Sequence, residues 1–238
     1  MRLKQIVIVA GALGIGALLP LTFASAVQQP QPKVTTFDEL NVSRLNIVEP
    51  NGRYRLVLAN SARFPGLFME GREYRHHSRT GGGMLFFNDD GDEVGGLTYR
   101  SNAANRSASA GITFDQYKQD QTVSLLYQES NGNRTAGMRV WDRPNYSIGP
   151  LMEMSDRAAR APNDAERQRI REEMRAWAMA RGGGGAERMF AGKVQGDAVV
   201  RLADPQGRPR LVMRVGEDGA PSIEFLSETG QVVRRITQ

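Results

Sequence analysis

A nine-residue stretch occurs twice, and it constrains the fold more than any other feature. Pro50–Leu58 reads PNGRYRLVL and Pro205–Met213 reads PQGRPRLVM, with six of the nine positions identical. Each opens on a P-x-G-R turn, where Gly supplies the positive φ that a tight hairpin needs. Each then runs into an alternating strand. Leu56 and Leu58 fall on one face, as do Leu211 and Met213, with Arg53, Arg55, Arg208 and Arg210 opposite. A second element follows each copy. Met84–Gly91 leads to Val94, and at a constant offset of 139 residues Ile223–Gly230 leads to Val233. A weaker copy, Gly137–Pro144, lies between them with Gln121–Tyr127 as its partner. Met84/Phe86, Met138/Val140 and Ile223/Phe225 are therefore expected to be equivalent inward pairs of three hairpin units.

A single hairpin cannot bury its apolar side alone. The expected fold is mainly β: antiparallel hairpin repeats forming a closed or face-packed sheet over residues 37–238. Phe64–Thr80 is an insertion in the first unit, and Ser101–Ala110 reads as a small polar loop. One amphipathic helix, about 164–181, interrupts the pattern. Asn163 or Asp164 caps it, Glu166 supports its first turn, and Ile170, Met174 and Trp177 form its apolar stripe. Gly182–Gly185 ends it.

The N-terminus has a different grammar. Arg2 and Lys4 precede an uncharged apolar run, Pro20 breaks it, and Ala24-Ser25-Ala26 offers a small-x-small site. That order is a secretory signal peptide, residues 1–26, cleaved after Ala26. The alternative is an uncleaved anchor in the inner membrane over Ile6–Phe23, an 18-residue N-terminal hydrophobic segment. Either reading makes the protein extracytoplasmic, periplasmic or secreted if cleaved. Residues 27–36, containing QQPQPK, form a Pro/Gln-rich spacer.

Charge and cysteine usage narrow the chemistry. The formal net charge is +5, but Arg2 and Lys4 account for two of those charges. What remains is a mildly basic surface, so nucleic acid is not an expected partner. The absence of cysteine excludes disulfide scaffolds, Cys-ligated metals and thiol catalysis. His76 and His77 are the only histidines; adjacent strand residues point to opposite faces, so they read as surface residues rather than a chelating pair.

Three clusters are candidate sites. Thr113–Gln121, TFDQYKQDQ, holds Asp115 and Asp120 with Tyr117 nearby, a carboxylate pair suited to acid/base work on a glycan. Asp89, Asp90, Asp92 and Glu93 crowd a hairpin tip and are the calcium candidates, although the EF-hand spacing is missing and a solvated turn explains them. The arginines of the helix, 167, 169, 171 and 175, face an anionic lipid or envelope polymer in one reading. Tempered by Glu166, Glu172 and Glu173, they form a solvated face in the other. No phosphate loop is present, and no cofactor is expected.

Gly83–Thr98 (GMLFFNDDGDEVGGLT), Thr113–Gln121 and the Arg143-Pro144 that follows Trp141-Asp142 resemble a family of uncharacterised exported or membrane-anchored bacterial proteins. The resemblance covers residues 37–145 and implies a bacterial envelope setting without an activity. The leading functional expectation is a non-enzymatic envelope binding or interaction module, with envelope polymer, anionic lipid or another protein as partner. One alternative is a hydrolase of glycan or another envelope polymer working through Asp115 and Asp120. The other is a membrane-surface protein using the Arg-rich helix. Unpaired sheet edges also suggest closure by homo-oligomerisation.

Overall fold

A computed structural model of the chain describes residues 33–77 and 79–237. The apolar N-terminal segment, its cleavage position and most of the spacer lie outside the described residues. Two compact units are present, residues 1–40 and 41–238. In the first, the described residues from Lys33 onward form no helix or strand. No helix among the described residues is long and apolar enough to cross a membrane.

The second unit is mainly β, as the repeats require. Its strands are β1 (Arg44–Val48), β2 (Tyr54–Ala59), β3 (Leu67–Met69), β4 (Arg72–Tyr74), β5 (Gly82–Phe87), β6 (Glu93–Asn102), β7 (Ser107–Asp115), β8 (Gln121–Ser130) and β9 (Asn133–Asp142). Helices α1 (Gly149–Ala159) and α2 (Asp164–Met179) follow. The chain then completes β10 (Ala186–Val194), β11 (Asp197–Ala203), β12 (Pro209–Val215), β13 (Pro221–Leu226) and β14 (Val232–Thr237). Twelve strands form one antiparallel sheet in the order β1-β2-β5-β6-β7-β8-β9-β10-β11-β12-β13-β14, and β3–β4 is a separate hairpin within the insertion. Of the closed or face-packed sheet expected, closure is corrected: β1 and β14 are the two edges, and no strand among the described residues joins them.

The repeated turns are physically one device. At Glu49–Arg53, Asn88–Asp92, Asp204–Arg208 and Ser227–Gln231, the first residue's N–H donates to the fifth residue's carbonyl, and the Gly N–H donates to the first residue's carbonyl. Gly52, Gly91, Gly207 and Gly230 all sit at φ of 77–83°. The register slips by one residue beside each turn, the mark of a turn followed by a bulge. A fifth copy at Gly216–Ala220 joins β12 to β13. The expected polar loop at Ser101–Ala110 is mostly strand, because β6 and β7 pair residue for residue down to Asn102 and Ser107.

The equivalence of the repeat units holds, but the side they face does not. Cross-strand register puts Leu58, Met84, Met138, Met213 and Ile223 in one row across the sheet. Leu56, Phe86, Val140, Leu211 and Phe225 occupy a parallel row on the same face. That face is bare: Leu58, Met138, Met213 and Phe225 are 38–44% exposed. The buried core uses the alternate residues, Val57, Ala59, Leu85 and Phe87, with Phe68 of the insertion packed on them. Both faces of β2 and β5 are apolar, so alternation alone could not say which one the insertion covers. Tyr54, Phe68 and Phe87 meet with ring centroids 5.2–5.8 Å apart, two of the three contacts edge-on.

Further along the covered face, Phe190 is 1% exposed. Arg139 and Arg201, directly beside it on the flanking strands, stack over its ring at 5.0 and 5.6 Å. Glu187 accepts from both guanidiniums at 2.6 and 2.7 Å and fixes them there. Gly137 is required at this point, since a Cβ would lie 2.9 Å from the Phe190 ring and 2.5 Å from the Ala191 carbonyl oxygen.

Among the described residues there are two helices where one was expected. α1 begins Gly149-Pro150 and has no side-chain cap, so it carries no N-terminal signature beyond Pro. α2 is the expected helix, ending two residues early. The Asn163 side chain accepts from the Glu166 N–H at 2.9 Å, and Ile170 is its buried residue. Asn163→Ala should lower stability by about 1 kcal/mol, read as a shift in urea midpoint at constant slope, while Asn163→Asp should retain it.

Candidate functional site

The covered face of β6–β8, the insertion and the start of α1 enclose a cavity of 580 Å3. Glu93, Asp115 and Asp120 line it, with Arg79 and His77 from the insertion and Met152 from α1. Asp115 is the last residue of β7, at a register slip between it and Phe114. Asp120 follows on the turn into β8. The turn is stapled to the next segment: Gln116 donates to the Pro144 carbonyl, Gln119 to the Tyr146 carbonyl, and the Ile148 N–H to the Lys118 carbonyl, all at 2.9–3.1 Å. These bonds hold the lead-in to α1 over the cavity.

The electrostatics are uneven. Arg79 Nη2 donates to both Glu93 oxygens at 2.7 Å, and the two side chains are 18% and 11% exposed. Burial pushes the Glu93 carboxyl above its usual value, against the pull of Arg79. Asp115 has no such partner. Its Oδ1 is buried and accepts no hydrogen bond from any protein group. Burial, then the charges of Glu93 and Asp120, push its carboxyl up to about 7, with Arg79 and Arg143 opposing. Asp120 is 48% exposed and lies 3.7 Å from Arg143. Arg143 is anchored by its own bonds to the Gln121 and Gly184 carbonyls. Desolvation, then Arg79 and His76, lower the pKa of His77, which keeps that ring neutral at pH 7.

Asp115 and Asp120 thus share one cavity. Tyr117 does not join them: it is 66% exposed, and its hydroxyl donates to Asp90 at 2.8 Å. The four acids of the Asn88–Glu93 segment diverge. Asp89 pairs with Arg55, Asp90 with Tyr117 and Lys118, and Glu93 turns into the cavity toward Arg79. Asp92, 1% exposed, receives the Glu70 N–H and lies 2.8 Å from Lys118. Among the described residues, no group of three or more His, Asp or Glu is placed to hold a metal ion.

Of the two histidines, His77 is exposed as expected, and His76 is not. His76 is 14% exposed; its Nε2 is 3.0 Å from Ser155 Oγ and its Nδ1 is 3.2 Å from Asp156 Oδ1. Ser, His and Asp meet here, but none of the three lines the 580 Å3 space. Asp156 is also held by Arg72 at 3.0 Å and Arg160 at 2.6 Å. Glu153 joins Arg72 and the Tyr74 hydroxyl at 2.6 and 2.5 Å. The cluster clasps α1 to the β3–β4 hairpin. On α2, Arg167 pairs with Asp164, and Arg169 with Glu166 and Glu173, which gives that face the locally paired character of a solvated surface.

Arg79 and Arg143 are the site residues that sequence reasoning missed. Each meets its carboxylate across 14 or more residues, a separation at which spacing rules are silent; the Arg143-Pro144 pair was the one available signal. No family model matches the chain, and neither a curated protein nor a solved structure does.

Proposed function

We propose that the chain is an extracytoplasmic binding module whose Asp115 cavity takes a neutral, hydroxyl-rich ligand of the glycan type found in envelope polymers. The observation that carries this reading is Asp115, whose buried Oδ1 has no hydrogen-bond partner, in a cavity whose other two carboxylates each face an arginine. Glu93 faces Arg79, and Asp120 faces Arg143. A charged ligand would disturb those pairs. A sugar hydroxyl satisfies Asp115 in either protonation state, because a carboxylic acid both donates and accepts. Thr113 and Gln119 add neutral polar groups, while Phe64 and Leu67 offer apolar surface to a sugar's C–H face. The extracytoplasmic setting is supported by the N-terminal sequence.

Acid catalysis at the same site is the second reading, favoured by one observation. A carboxyl with a pKa of about 7 beside a second carboxyl is the arrangement of a glycosidase proton donor and its partner. One titration separates the two. With an N-acetylated amino-sugar tetrasaccharide as probe, which is neutral, the full chain should bind without shortening it, and Asp115→Ala should weaken binding at least tenfold. Appearance of shorter products, lost in both Asp115→Asn and Asp120→Asn with folding intact, would replace the binding module with a hydrolase. Equal binding by wild type and Asp115→Ala would remove the site altogether.

A further inference from the structure

The bare face of the large sheet is a second surface, independent of the cavity. Its first row runs from Leu45 on β1 through Leu97, Leu125 and Met213 to Ile236 on β14, and every position in it is apolar. The parallel row ends on its one charged residue, Arg234, at the outermost strand. Eleven large side chains in these rows are 38–59% exposed, with Leu125 at the upper limit, and others, Met84 and Phe86 among them, are half-buried. Each such side chain carries roughly 150–250 Å2, so together they present on the order of 1,000 Å2 of apolar surface. That exceeds the few hundred Å2 a soluble monomer ordinarily exposes, and it meets the roughly 800 Å2 per partner of a stable association.

We infer that this face is the interface between copies of the chain, packed apolar face on apolar face as the two layers of a sandwich. Three properties select a second copy. First, the area is sufficient. Second, a two-fold contact sets a surface against itself, so any charge meets its like; here both rows are free of charge except at one edge. Third, the rows have the strand spacing of about 4.8 Å in both copies, so side chains of one layer fall between those of the other. Other occupants cover less. The apolar groove of 540 Å3 across β11–β14 would hold an acyl chain, but Leu97, Phe114 and Leu125 would stay bare. A bilayer needs strands of about 9–11 residues, and β11–β14 have six or seven.

The native chain has no cysteine, which makes the test direct. Leu125 lies on β8, near the middle of the sheet, so a two-fold contact centred on this face would bring it close to its own equivalent. Full-length Leu125→Cys in mild detergent should cross-link to a dimer with a flexible bismaleimide. Arg214→Cys, exposed on the opposite face, should not. Wild type should run at twice the monomer mass or a higher multiple by light scattering. Leu125→Glu with Met138→Glu should return it to the monomer mass with an unchanged circular dichroism spectrum. The inference is overturned if wild type is monomeric, with or without bound phospholipid detected by native mass spectrometry. It is equally overturned if the double glutamate variant keeps the oligomer, or if the two cysteine variants cross-link alike.

Discussion

Replacing Lys118 by methionine should cost about 3 kcal/mol of folding stability, the lower end of what breaking a buried ion pair costs. Asp92 follows the β5–β6 turn and is 1% exposed, and Lys118 reaches it from the β7–β8 turn at 2.8 Å. The hydrogen bond to Asp92 raises the Lys118 pKa, in keeping with a charge held by its partner. Methionine matches the length of the stem but leaves a desolvated carboxylate facing it. A buried carboxylate without its partner carries a large fraction of the pair's cost. Urea unfolding at pH 7 checks this through the midpoint at unchanged slope. The double variant Asp92→Asn/Lys118→Met should recover much of the loss, because the unpaired charge is gone. A loss below about 0.5 kcal/mol in the single variant, the ordinary size for an exposed site, would show the pair to be solvated instead.

The second large effect is a dependence on pH that runs opposite to ordinary acid denaturation. Asp115 titrates at 3.8 when unperturbed and at about 7 in the fold. Below 3.8 both states hold the proton, and the carboxyl does not distinguish them. As pH rises, the unfolded chain releases its proton first, and the fold is penalised increasingly until its own carboxyl ionises near 7. Stability tied to Asp115 is thus full below pH 3.8 and lost by about pH 7, with a total on the order of 4 kcal/mol. Glu93 and His77 line the same cavity and carry shifts of their own, so the comparison must be made against Asp115→Asn. That variant should match wild type near pH 4 and exceed it near pH 8. Parallel stability curves would mean that Asp115 is hydrated in the native state.

What the sequence disclosed and what it withheld divide along a physical line. The turns were legible because a Gly at positive φ between two alternating runs is a local demand, and Gly52, Gly91, Gly207 and Gly230 each meet it in the same way. The α2 start was legible for the same reason, through Asn163. The closed sheet was inferred from the need to bury apolar sides, and the chain leaves that need unmet within itself. The faces of β2 and β5 were assigned the wrong way round because both are apolar; only the insertion, through Phe68, decides which is covered. α1 escaped notice because its anchors are long-range: Arg72, Tyr74 and His76 on one side, Glu153, Ser155 and Asp156 on the other. The candidate site shows the same division. Asp115 and Asp120 lie five residues apart on one turn, and their shared cavity follows from a hairpin. Arg79 and Arg143 arrive from elsewhere in the chain.

The order of strands in the large sheet also fixes how the chain can assemble. Each strand pairs with its neighbours in sequence, apart from the detours between β2 and β5 and between β9 and β10. Most pairings therefore close loops of only a few residues, which keeps contact order low for an all-β protein and favours rapid folding by zippering outward from any formed hairpin. The same one-dimensional logic governs opening. Amide exchange should be fastest at β14, whose residues are all exposed, and should slow strand by strand toward β10, where Phe190 is buried. A hairpin gained or lost beyond β14 would change the length of such a sheet without changing what its interior strands touch.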